Sequence, residues 1–223
     1  MRITVFGATG GIGAQVVRQA IEAGHQVTAV VRDPARLAGP RPDRIVTAAV
    51  TEAPPEVLAD AVAGADAVLS GLGPRSRADR GVGEAATRAV VRAMKATDAR
   101  RIIVVSAAPV STTPSPGRPR PPRRDPGEGF VMRNVLTPMI KVGFDWNYLD
   151  LALMEDVLRD SGLDWTSVRP PRLTDKPRTG RYRTAIEQNL RGGMTIARAD
   201  VADLMLTAIE RTETIGHAIG IAN

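Results

Sequence analysis

Four glycines fall within seven residues near the start of the chain, in "VFGATGGIG" (residues 5–13), and no other stretch restricts the fold so tightly. Ile3 to Phe6 is short, apolar and partly β-branched, and it runs straight into the glycines, which is the pattern of a buried strand. From Ile12 onward the apolar positions Ile12, Val16, Val17, Ala20 and Ile21 recur at three and four, which predicts one face of a helix. Gly24 stops that helix, and Val27 to Val31 reads as a second strand. The result is a βαβ unit whose first turn is nearly bare of side chains.

Glycine at that turn permits a tight bend, lets a phosphate approach the backbone, and leaves helix N–H groups aimed at negative charge. In a strand–glycine–helix–strand context the turn is expected to bind a dinucleotide. The spacing is wide: Gly7, Gly10 and Gly13 make G-x-x-G-x-x-G, and Gly7, Gly11 and Gly13 make G-x-x-x-G-x-G. Neither is the G-x-G-x-x-G of the dehydrogenase fingerprint. The second strand of such a unit commonly ends in an acid that binds the adenosine ribose of NAD. Here it ends in Val31-Arg32-Asp33-Pro34. A guanidinium suits a 2′-phosphate, and Arg36 is near enough in sequence to assist, so NADP(H) is the expected cofactor. Asp33 leaves NAD(H) open.

The remaining chain alternates strands and helices. Strands are expected at Arg44–Val50, Asp66–Leu72, Arg101–Ser106, Trp165–Arg169 and near His217–Ile221. Helices are expected at Glu56–Val62, Val82–Ala96, Asn147–Arg159, with Leu149, Leu153, Val157 and Leu158 inward, and Asp200–Glu210. That alternation predicts an α/β fold, a doubly wound parallel sheet covered on both faces, in one domain spanning residues 1–223. In such sheets ligands gather at the carboxyl ends of the strands. Gly7 to Gly13, Arg32, Leu72-Gly73, Ser106 and Pro170-Pro171 all follow predicted strand ends.

At 223 residues the chain fits one domain with ample core, and its 43% hydrophobic and 24% charged content is that of a globular protein. It has no cysteine, which excludes disulfides and thiolate chemistry and suits a reducing, cytoplasmic setting. No apolar run approaches the ~20 residues that span a bilayer, and the first strand begins at once, so neither a signal peptide nor a membrane partner is expected. The net charge of +6 raises a nucleic-acid partner. Four arginines lie close together in "PSPGRPRPPRRDPGEG" (Pro114 to Gly129), which has no aromatic residue and no helical period. Base stacking and groove entry have little to work with there, so a solvated, poorly ordered basic loop at about 109–129 is expected, and no nucleic-acid partner. No His/Asp/Glu cluster has metal-ligand spacing, and His25 and His217 fall where a structural or solvated histidine is expected.

The segments "FGATGGIG", "VTAVVRDPARL" and "MEDVLRDSGLDWTSVRPPRLTDKPRTGRY" (Met154 to Tyr182) together resemble the atypical short-chain dehydrogenases/reductases typified by biliverdin-IXβ reductase, also called flavin reductase. NmrA-like redox sensors are more distant relatives. The likeness covers most of the chain outside residues 108–146. It implies that Gly7, Thr9, Gly10, Gly11, Ile12 and Gly13 wrap the pyrophosphate, and that Arg32 and Arg36 take the 2′-phosphate. Val50, Leu72 and Gly73 would line the rest of the cofactor. Ser106 would lie by the nicotinamide, orienting its carboxamide or the acceptor, and Pro170 and Pro171 would close over it. Arg172 stands where the family's Pro-Pro-His has its histidine, and can bind a carboxylate or phosphate. Two further departures are Ala48-Ala49 in place of Gly-Asp, and Ala107 where the reductase has its serine. The acceptor side is expected around 130–146 and 170–198.

The superfamily's larger branch uses Tyr-x-x-x-Lys to deliver a proton. Tyr148 is followed four later by Ala152, and Tyr182 by Ile186, so the dyad is missing. A planar conjugated acceptor, which spreads the incoming charge and takes its proton from water, fits that loss. The resemblance therefore implies an NADPH-dependent oxidoreductase acting on a flavin, a quinone or a tetrapyrrole-like molecule, with flavin as substrate rather than bound cofactor. A non-catalytic NADP(H) sensor of the NmrA type and an epimerase or dehydratase are the alternatives, each as a monomer or homodimer.

Overall fold

The computed structural model describes residues 1–74, 76–127 and 137–223, with side chains throughout except at 77 and 137–145. The last residues of the expected basic loop and much of the first acceptor-side stretch lie outside the described residues.

Strand β1 (Arg2–Phe6), helix α1 (Gly11–Glu22) and strand β2 (Gln26–Val31) form the opening unit. They are followed by β3 (Arg44–Thr47), α2 (Pro55–Val62), β4 (Ala67–Ser70), α3 (Val82–Lys95) and β5 (Arg101–Val105). Next come α4 (Thr137–Arg159), β6 (Asp164–Arg169), β7 (Arg172–Thr174), β8 (Arg183–Ile186), β9 (Thr195–Ala197), α5 (Arg198–Thr207) and β10 (His217–Ala222).

Eight strands make one sheet in the order β3-β2-β1-β4-β5-β6-β10-β8, and β7 pairs with β9 in a separate parallel ribbon. Seven strands of the main sheet run parallel, and only β8 is antiparallel, on the edge beside β10. The chain starts in the middle and winds outward both ways, so the strand order reverses between β1 and β4. There the first crossover goes to β2 and the next leaves toward β5, opening a crevice above the strand ends. Register keeps those ends level: Phe6 pairs with Val30 and Ser70, Ser70 with Val104, and Val105 with Val168.

Both faces of the sheet are covered. Helices α1 and α5 pack Val16, Val17, Val201 and Leu204 against Ile3, Val5, Leu69 and Ile103. On the other face α2, α3 and α4 pack Leu58, Val90, Met94 and Leu158 against Phe6, Val68 and Ile102. Strand residues alternate between the two clusters, which explains why the strands read as continuous apolar runs.

Three expectations are corrected. Leu149 is 46% exposed, because α4 turns Leu151 and Met154 inward in its place, while Val157 and Leu158 are buried as expected. The short strands β7, β8 and β9 were not anticipated at all. The basic segment is not simply solvated over its described part. A short 3-10 helix runs from Ala108 to Thr112, and Ser115 and Arg118 form an isolated antiparallel bridge. Ser115 Oγ and Gly117 N–H donate to the Asp156 carboxylate, and the buried Asp125 accepts from Gly127 and Asn189 N–H. Small polar residues between the arginines dock the loop, a role that bulk composition conceals.

Candidate active site

Gly7 has φ +71°, the left-handed region that side chains avoid, and an added Cβ would lie 3.0 Å from the Gly71 carbonyl carbon. Gly13 is tighter still: a Cβ there would sit 2.2 Å from the Gly7 carbonyl oxygen. These glycines let the start of α1 press onto the turn after β1, while the Gly10 N–H donates to Gly7 O at 2.8 Å. Gly10 caps the helix without any side-chain hydrogen bond, and the first turn of α1 contains no acidic residue. Its leading N–H groups are therefore left for a ligand, at the positive end of the helix dipole.

That helix end opens into a cleft of about 480 Å³. Gly7, Thr9, Gly10, Gly11 and Ile12 line one side of it, and Gly13 stands behind them against Gly7. Arg32 and Val50 line it at the ends of β2 and β3, with Leu72 and Gly73 after β4. Ser106, Pro170 and Pro171 line it after β5 and β6. Twelve residues named from sequence thus meet along one sheet edge, and Gly13 supports them. Arg36 and Arg172 are the exceptions. Arg36 is exposed on the 3-10 turn Pro34–Arg36, outside the lining. Arg172 is exposed at the start of β7, and Leu173 faces the cleft in its place. Adjacent residues of a strand point to opposite sides, so Arg172 lies beside the lining and not within it.

Asp33 is committed elsewhere. Its carboxylate accepts the Ala35 N–H at 3.0 Å and caps the turn that follows β2, so it does not enter the lining. Arg32 is left as the cation at that end of the cleft, whose lining also includes Glu52.

Ser106 is 5% exposed, with its backbone N–H bonded to Val168 O at 2.7 Å and its hydroxyl near the Glu155 carboxylate but in good hydrogen-bond geometry with no group. A buried hydroxyl without a partner is costly, and one that lines a cleft is poised for a ligand. Behind it lies an ion pair. Glu155 of α4 is fully buried and accepts from Arg169 Nε and Nη2 and from Ser167 Oγ, while Arg159 reaches it from the next turn. Burial pushes the Glu155 carboxyl up, but Arg169, Arg159 and the nearby Ser106 hydroxyl outweigh it and hold the carboxyl below its ordinary value.

Helix α4 presents Asn147 and Leu151, four residues apart on one face, to the cleft. The Asn147 Oδ1 is buried without a partner. Neither residue carries a proton that can be given up at neutral pH. Tyr148 packs against the hydrophobic core instead, and burial raises its pKa. Tyr182 donates to Asp203 Oδ2 at 2.6 Å, and burial with that carboxylate raises its pKa as well. Neither tyrosine lines the cleft.

Asn147, Leu151 and Arg198 were missed from sequence. Asn147 and Leu151 carry a spacing signal only once α4 is known to face the cleft. Arg198 precedes the helix expected from Asp200, and nothing local marks it. Among the described residues no group of His, Cys, Asp and Glu can hold a metal, and no helix is long and apolar enough to cross a membrane.

Comparison with known proteins adds three observations. A family model described as NAD(P)H-binding matches residues 7–212. The chain is 25% identical to the Bacillus subtilis protein YwnB over 224 aligned positions, covering 96% of this chain and 94% of that one. Among solved structures it is similar to a Bacillus halodurans protein provisionally named an NAD-dependent epimerase/dehydratase, at 25% identity and TM-score 0.72, covering 100% of this chain and 94% of that one. It shares the fold of ChuY, an anaerobillin reductase from Escherichia coli, at 21% identity and TM-score 0.73, covering 100% and 97% of the two chains.

Proposed function

We propose, on the premise that this chain belongs to the NAD(P)H-binding family, that it is an NADPH-dependent oxidoreductase whose acceptor is planar and conjugated. The observation that carries the reading is the cleft itself: one sheet edge joins a bare helix N-terminus, Arg32 and a buried Ser106 hydroxyl, with no proton donor among the described residues that the facing helix presents to it. Bound NADPH would supply a hydride there. The N–H groups at the start of α1 would hold the pyrophosphate, and Arg32 the 2′-phosphate. Ser106 would fix the carboxamide or an acceptor oxygen by its hydroxyl, and Pro170 and Pro171 would wall the site rigidly. Because Asn147 and Leu151 offer no transferable proton, solvent would supply the one that accompanies the hydride. A flavin, quinone or bilin tolerates that arrangement by spreading the added charge; a simple ketone does not.

The name of ChuY, an anaerobillin reductase, lends support to a tetrapyrrole-like acceptor. The name of the Bacillus halodurans protein favours epimerase or dehydratase chemistry. That chemistry moves protons at carbon through a positioned acid or base, and Asn147 and Leu151 supply neither.

Anaerobic mixing of the protein with NADPH and FMN, biliverdin or a quinone tests the reading through absorbance at 340 nm. Protein-dependent oxidation of NADPH by one of these acceptors, with NADH slower and cyclohexanone inert, is expected. Turnover of cyclohexanone at a comparable rate, or no turnover with any conjugated acceptor, would overturn it.

A further inference from the structure

Arg198 opens α5 and lies across the cleft mouth. Its Cδ and Nε come within 2.7 and 2.8 Å of the place a Cβ on Gly11 would occupy, so the side chain rests directly on the first residue of α1. A cation there faces the positive end of a helix dipole, in a turn that holds no acid. That placement is unfavourable unless an anion stands between them. Its ion-pair partner is Asp175, whose side chain is 89% exposed while that of Arg198 is 30% exposed. A pair so open to water holds its members weakly.

The charge pattern of the cleft gives the position a purpose. Among the described lining residues the charged ones are Arg32, Arg198, Glu52 and Asp79, and the two arginines stand one at each end of the glycine turn's reach. NADPH has two separate anionic groups, the 2′-phosphate and the pyrophosphate. Arg32 is placed for the first, and Arg198 stands over the helix end that takes the second. The fold also fixes the arginine in place. Thr179 N–H, Thr179 Oγ1 and Gly180 N–H all donate to the fully buried Asp200 carboxylate, two residues beyond Arg198. That clasp ties the loop bearing Asp175 to the first turn of α5.

Building on the NADPH reading above, we propose that the Arg198 guanidinium binds the cofactor's pyrophosphate over the N-terminus of α1, and that Asp175 holds the arginine there until the anion displaces it. Arg198 therefore contributes to affinity for NADPH and NADH alike, whereas Arg32 contributes only where a 2′-phosphate is present. Asp175 competes with the cofactor.

Titrating the full chain with NADPH, NADH and 2′-AMP tests this. Arg198→Ala should weaken NADPH and NADH by the same factor, roughly tenfold, and leave 2′-AMP unchanged, since 2′-AMP has no pyrophosphate. Arg198→Lys should recover part of the loss through charge without the fork. Asp175→Asn should tighten both dinucleotides severalfold, a change in the opposite direction that a damaged fold cannot imitate. Wild-type affinity for both dinucleotides in Arg198→Ala, or an equal loss of 2′-AMP, would overturn the proposal while the cofactor reading stands. A wild-type chain that binds neither NADPH nor NADH would overturn both.

Discussion

Arg32 leaves β2 exposed at the end of the cleft, and its neighbour Asp33 is occupied in capping the following turn. The acid that could have favoured NAD is thus held in that turn and lies outside the cleft lining. One charge-assisted contact to a 2′-phosphate is worth about 1.5–3 kcal/mol, so Arg32→Ala should weaken NADPH roughly tenfold to a hundredfold and leave NADH nearly unchanged. Fluorescence titration with both cofactors checks this, and equal wild-type affinity for the two would refute it. The glycines divide into two kinds. Gly10 has φ −82°, and its Cβ would clear Gly7 O by 3.1 Å, so Gly10→Val should fold yet bind NADPH poorly because its branches enter the phosphate path. Gly13→Ala puts a methyl 2.2 Å from Gly7 O and should cost about 1–3 kcal/mol of stability as well as binding. Thermal melts beside NADPH titrations separate the two, and normal binding by Gly10→Val would show that this turn is not the phosphate cradle. These residues were legible because glycine spacing and a charge at a strand end act through the backbone, which sequence specifies locally. That Leu173 and not Arg172 lines the cleft was not legible, because one residue of strand alternation decides it and a three-residue strand leaves no pattern from which to count.

At the scale of elements, α4 carries the largest buried polar investment. Glu155 and Arg169 are 0% and 1% exposed, and Arg169 Nη1 has no partner. Removing one member of such a pair leaves a buried charge uncompensated, so Glu155→Gln should destabilise the fold by about 3–5 kcal/mol at neutral pH. The Glu155 carboxyl is held below its ordinary value of 4.5, so the folded state binds its proton less readily than the unfolded chain does. Its contribution is fully present above pH 4.5 and is lost as the pH falls through the lower folded value. The stability gap between wild type and Glu155→Gln should therefore narrow on acidification below 4.5. Urea melts across that range measure it, and a constant gap would show that the carboxylate is not the source. The segment from Met154 to Tyr182, which carries the family resemblance, also divides at this scale. Pro170 and Pro171 line the cleft, whereas Thr179 and Gly180 clasp Asp200 and so serve the architecture. The long helices and the central strands were readable from their periods. The segments β7, β8 and β9 were not, because three or four partly polar residues gain strand geometry only from partners elsewhere in the chain.

For the whole molecule, cofactor binding and folding are linked through the same sheet edge. The turns after β1, β2, β4, β5 and β6 all line the cleft, so a ligand that bridges them binds only the folded state. At a free concentration one hundred times Kd, the added stability is about 2.7 kcal/mol. For a chain of this size that corresponds to a rise of roughly 5–10 °C in Tm. Differential scanning fluorimetry with NADPH should show the shift, Arg32→Ala should reduce it, and an unchanged Tm at saturating NADPH would contradict the site. The doubly wound order was legible from the alternation of strands and helices, since few topologies satisfy that pattern. The reversed edge strand was not, because its direction is set by a partner more than thirty residues later.

That late partner has a consequence for how the chain comes together during synthesis. β10 occupies the slot between β6 and β8, yet it is the last of the three to be made. Until it arrives, β8 lacks its partner in the main sheet and β6 keeps an open side, with Val168 uncovered and Ile186 free of its pairing with Ile219. The nascent protein therefore passes through a stage in which the glycine turn and five neighbouring strands can already assemble while a sticky edge waits. Unpaired edges of this kind recruit other chains. A chain halted before His217 should accordingly self-associate and be cut readily by protease, and the same chain should become resistant when a peptide of residues 217–223 is supplied in trans. A halted chain that stays monomeric and resistant on its own would show that the final strand closes nothing that its predecessors had left open.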